Sequence, residues 1–206
     1  YQNNSINTCY NGIYINGPLL GGETGTVVVS NLIGSTNSAR KLGYRALYVA
    51  GQTGMSVSLN TITGVNSQVN TGAEPDASGG IFVGGVISGG NIFSNRINDI
   101  RNSNTTGAPS YGISLQSASP SAGLRVHNNF IWEVAGYGKA SAILSNGHGI
   151  AILSGGNYGI YYNTVLLNST YNQTTAGISC AIYIGSSSGG SLDLRNNIFS
   201  NRQSIG

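Results

Sequence analysis

Apolar and polar residues alternate in six short segments of this chain: GIYI from Gly12, ALYV from Ala46, GIFV from Gly80, GISL from Gly112, GIAI from Gly149 and AIYI from Ala181. A period of two marks strands with one buried face. The buried pairs would be Ile13 and Ile15, Leu47 and Val49, Ile81 and Val83, Ile113 and Leu115, Ile150 and Ile152, and Ile182 and Ile184. Most are β-branched, and no helical periodicity competes with the alternation.

A second pattern runs at longer range. An Asn followed two residues later by an apolar residue stands at Asn4, Asn31, Asn60, Asn95, Asn129, Asn163 and Asn197, with spacings of 27, 29, 35, 34, 34 and 34. The chain is therefore a seven-fold internal repeat. Two residues after each Asn come Ile6, Ile33, Ile62, Ile97, Ile131, Val165 and Phe199; three before come Val28, Val57, Ile92, Val126, Ile160 and Leu194. Both columns are apolar throughout. Beside them Val29, Ser58, Phe93, His127, Tyr161 and Arg195 form a mixed column, as a row facing solvent would. Strands before and after the Asn join the GIYI-type strand to make three per repeat.

An antiparallel sandwich would bring pairing strands back after roughly 8 to 12 residues, whereas equivalent positions here return after 27 to 35. The repeat resembles the coil of a right-handed parallel β-helix. The chain as a whole is similar to the β-helix repeat regions of large secreted bacterial surface proteins, within the pectate-lyase-like superfamily, especially those with recurrent NNxI segments such as Asn128 to Ile131. The resemblance implies an all-β fold of about seven coils, three short strands per coil, in a single section spanning residues 1–206. Parallel strands joined by crossovers are expected to wind right-handed.

The Asn column predicts a ladder at one bend. Asn tolerates left-handed backbone angles, and its amide can bond to the identical amide in the next coil. Lengths vary mostly between the Asn strand and the GIYI-type strand, as in VNSQVNTGAEPDAS from Val65 and VAGYGKASAILSNG from Val134. Such loops are where binding or catalysis would be grafted. Each coil buries its apolar face only against neighbours, and neither terminus shows a charged or amphipathic cap. The expectation is an internal section of a longer protein, partnered by that protein's neighbouring coils or domains.

Composition narrows the chemistry. Only 7 % of residues are charged, about a quarter of the usual share, while 32 glycines, 25 asparagines and 27 serines supply neutral polarity. The net charge of +3 is scattered, with Arg40, Lys41 and Arg45 the tightest group, which argues against a nucleic-acid partner. No apolar run of about 18 residues predicts membrane insertion.

The segment SNGHGIAILSGG from Ser145 contains a Gly-His-Gly that resembles one motif of the polygalacturonases. Inverting glycoside hydrolysis needs an acid and a base carboxylate flanking the scissile bond. The matching strands in the two preceding coils, SGGIFV and SYGISL, hold no carboxylate, and SCAIYI stands where that family has Arg-x-Lys. His148 is then expected to be an ordinary polar residue at a strand entrance.

The acids are Glu23, Glu74, Asp76, Asp99, Glu133 and Asp193; only Asp99 and Glu133 share a column in adjacent coils. At roughly 4.8 Å per coil they could perturb each other's pKa, and they are the candidate acid and base. Arg101 could instead relieve them as a solvated pair. The scattered His and Cys give no metal site and no cofactor is implied. Cys9 and Cys180, five coils and roughly 24 Å apart, are too distant for a disulfide. Tyr14, Tyr48 and Phe82 occupy consecutive outward positions and could stack on sugar rings, anchor a surface protein, or simply stack on one another.

Three functions are consistent with these features. The first is a structural or adhesive β-helix section of a secreted or cell-surface bacterial protein without catalysis of its own. The others are a polysaccharide-active enzyme using Asp99 and Glu133, and a non-catalytic glycan-binding module using Tyr14, Tyr48 and Phe82.

Overall fold

The computed structural model describes residues 1–18, 22–68, 77–104, 109–136, 145–171, 178–185 and 190–205. The variable connections at 69–76 and 137–144, with Glu74 and Asp76, lie outside them. Every strand pair among the described residues is parallel, and each joins a strand to its counterpart one coil away. The one helical segment among them is a single 3-10 turn, Ser38–Arg40. The fold is a β-solenoid, a parallel β-helix.

The strands that follow the ladder asparagines form one seven-stranded sheet: Ser5–Ile6, Leu32–Gly34, Thr61–Ser67, Arg96–Asn102, Phe130–Ala135, Thr164–Leu167 and Ile198–Asn201. The GIYI-type strands and the strands preceding each Asn share a second, eleven-stranded sheet. They are continuous in two coils, where Arg45–Ser58 and Ser78–Phe93 each run through both. The predicted columns are the observed register. Ile62 pairs with Ile97, Ile97 with Ile131, Ile131 with Val165, and Val165 with Phe199.

About five turns are complete, rather than seven. Counting ladder asparagines counts the rungs of one sheet; seven rungs bound fewer whole turns, and the first rung is a two-residue strand. The columns are buried through the middle of the stack and open at one end, where Leu194 is 41 % and Ile184 53 % exposed.

Six consecutive side-chain hydrogen bonds build the ladder, each Asn Nδ2 donating to the next Asn Oδ1 at 2.9 to 3.0 Å. Each Oδ1 also accepts the backbone N–H of the preceding ladder Asn. Each Nδ2 from Asn31 onward has a second acceptor in a backbone carbonyl, such as Val57 O at 3.0 Å from Asn95. A central Asn is thus satisfied without water, which is what makes a buried amide tolerable.

The left-handed backbone sits one residue earlier than expected. Asn3, Ser30, Leu59, Ser94, Asn128, Tyr162 and Asn196 have φ of 54 to 57°, whereas no ladder Asn has a positive φ. The conformation costs an L-residue roughly 1–2 kcal/mol, and the bonds made by the following Asn hold it at every rung.

Candidate functional site

The Gly-His-Gly motif has a packing explanation. A Cβ at Gly149 would meet Val165 Cγ1 at 2.2 Å and Ala181 O at 2.6 Å, and one at Gly147 would meet Val134 O at 2.3 Å. Both glycines let the GIYI-type strand approach the Asn sheet.

His148 stands near the entrance of the strand Ser145–Ser154. It is fully buried, its ring lying between Tyr183 at 4.6 Å and Tyr111 at 5.5 Å, each tilted by 10° from parallel. Nδ1 accepts the backbone N–H of Cys180 at 3.2 Å, while Nε2 has no partner. Burial pulls its pKa down to about 4, so it is neutral at pH 7. Around it, Tyr111, Ala77 and Ala151 with Leu153 and Tyr183 form a second apolar layer, separate from the core inside the coil.

That layer changes the outward aromatic column. Tyr14 is 57 % exposed, but Phe82 is only 6 % exposed, and Ser114 and Ala151 in the same column are completely covered. The rings stack face to face at 4.4 Å for Tyr14 and Tyr48 and 5.1 Å for Tyr48 and Phe82. The buried guanidinium of Arg45 lies 3.9 Å from the centre of the Phe82 ring. A ligand has access to the first two rings rather than to all three.

Asp99 and Glu133 do occupy the same position of adjacent rungs, and both have φ of 53°. In the neighbouring rung the position is Gly64, φ 72°, where a Cβ would meet Ser35 O at 1.9 Å. The column is thus a left-handed kink within the strand. The half-buried Asp99 is tied to two cations, Lys41 Nζ and Arg101 Nε, the latter at 3.0 Å. Arg101, expected to relieve both acids, pairs with Asp99.

Cys9 and Cys180 are free thiols, their pKa values raised by burial. Among the described residues no three His, Cys, Asp or Glu side chains cluster as metal ligands. No helix there is long and apolar enough to cross a membrane.

A depression lies elsewhere, over the mixed outward column of the strands that precede the ladder asparagines. A trough of about 490 Å³ runs over the strands before Asn129, Asn163 and Asn197, between Arg125, His127, Tyr161 and Arg195 on the strands and Asn128, Tyr162 and Asn196 at the bend. His127, Tyr161 and Arg195 are in register. His127, Tyr161 and Arg195 recur at a spacing of 34 but differ in kind, and Arg125 stands in another column. Comparison with known proteins returns no matching family model, no matching curated protein and no matching solved structure.

Proposed function

We propose that the chain is a structural or adhesive solenoid section of a secreted or cell-surface bacterial protein, with right-handed coils of the pectate-lyase-like kind. The observation that carries this reading is the unbroken Asn ladder, whose interior amides satisfy one another along the stack. Five buried asparagines, Asn31, Asn60, Asn95, Asn129 and Asn163, hold coils in register through it. Asp99 offers less to a substrate, because its carboxylate already makes two ion pairs, with Lys41 and Arg101.

Protease shaving of intact source cells tests the placement. Peptides of this chain released before lysis support it, and peptides that appear only after lysis overturn it. Incubation with a polysaccharide panel tests the absence of catalysis. Release of reducing ends or unsaturated products that disappears in Asp99→Asn with Glu133→Gln would establish the enzyme instead.

A further inference from the structure

The trough beside the ladder has a layout that its role in the solenoid does not require. Arg125 is exposed, and among the described residues it makes no side-chain hydrogen bond or ion pair. Arg195, one rung from Tyr161 and two from His127, is already paired with Asp193, whose second contact is the Tyr161 hydroxyl at 2.9 Å. That pair is neutral as a unit, and its Arg195 and Tyr161 bonds hold the Asp193 carboxyl below the usual carboxylate range. His127 stacks on Phe93 at 5.1 Å, and burial and then Arg125 keep its pKa low. The trough therefore presents one uncommitted positive charge.

Its shape comes from a glycine. Gly159 stands in register between Arg125 and Asp193, and the Tyr161 hydroxyl lies 2.5 Å from where a Cβ there would be. Tyr161 folds across that gap. The Tyr162 side chain, 60 % exposed at a left-handed bend, stands at the rim with the amides of Asn128 and Asn196.

We propose that this trough binds an anionic saccharide, with its carboxylate or sulfate on Arg125, a ring face on Tyr162, and hydroxyls on the asparagine amides. A guanidinium takes either acid group through paired hydrogen bonds. Aromatic rings present an apolar face to a sugar ring, and amides both donate and accept, as hydroxyls do. The volume suits a ligand site. A nucleic-acid strand would call for a row of free cations along its phosphates, and here there is one.

The probes are a heparin-derived hexasaccharide for sulfate, a hexagalacturonate for carboxylate, neutral cellohexaose, and a single-stranded oligonucleotide, each titrated into the intact protein at fixed salt. Binding of at least one acidic sugar above cellohexaose is expected, weakened by at least about tenfold in Arg125→Gln and by less in Tyr162→Ala. Arg40→Gln, an exposed cation on the remote 3-10 turn, should change nothing. No acidic sugar binding, equal binding of cellohexaose, stronger binding of the oligonucleotide, or equal losses in Arg40→Gln and Arg125→Gln would each overturn the site. A trough that bound nothing would leave the scaffold role intact.

Discussion

Two buried columns run along this solenoid, and they solve the same problem differently. At the bend every rung carries Asn, and each interior amide gives and receives two hydrogen bonds. At the entrance of the GIYI-type strand the column reads Asn11, Arg45, Gly79, Tyr111, His148 and Cys180 in register. No two are alike. Identical amides satisfy one another because parallel stacking places the same donor and acceptor one step apart; dissimilar groups must find partners case by case, as His148 Nδ1 does in the Cys180 N–H. The second column accordingly leaves the buried His148 Nε2 without a partner.

The largest effect should come from breaking the self-satisfying column at its middle. Asn95→Ala removes four hydrogen bonds and strands the buried N–H of Asn60. A loss of about 3–5 kcal/mol is expected in urea unfolding, whereas Asn4→Ala at the exposed end should cost under about 1 kcal/mol.

The dissimilar column should show itself through pH. The folded pKa of His148 lies near 4, below the unfolded value of 6.5. Below pH 6.5 the unfolded chain takes up a proton that the folded chain refuses. The His148 contribution is therefore whole above pH 6.5, declines as pH falls toward 4, and levels off beneath that, a total on the order of 3 kcal/mol. His148→Phe should flatten that segment of the stability profile, and an unchanged slope would show that another group titrates.

The smallest effect concerns the residue before the ladder Asn. Leu59 is 57 % exposed with φ of 57°. Leu59→Gly relieves the left-handed strain and loses little burial, so a change between zero and about 1 kcal/mol of added stability is expected by thermal or urea unfolding.

The same contrast explains what could be read from the residues. Ile62, Ile97, Ile131 and Val165 announce the register because in-register stacking repeats one requirement at one spacing, and the asparagines do so for the same reason. Asn favours the left-handed backbone, yet at this bend Leu59 and Tyr162 adopt it with no such preference. Ladder bonds made by the following residue impose it. The burial of Phe82, Ser114 and Ala151 was not legible because alternation says which face of a strand a residue takes, not what covers that face. In sequence Asp99 and Glu133 form a charge pair, whereas their shared position is first a backbone kink, matched by Gly64. The trough escaped because Arg125, His127, Tyr161 and Arg195 differ from rung to rung, and a site assembled from unlike residues leaves no repeat.

Hydrogen exchange of the asparagine side-chain amides, followed by NMR, tests the ladder most directly. The Nδ2 protons of Asn60, Asn95 and Asn129 should exchange at least about a hundredfold more slowly than those of the exposed Asn168, with Asn4 faster than the central three. Exchange of the central asparagines at the rate of Asn168 would mean that their amides face water, and the ladder could not be the spine that holds these coils in register.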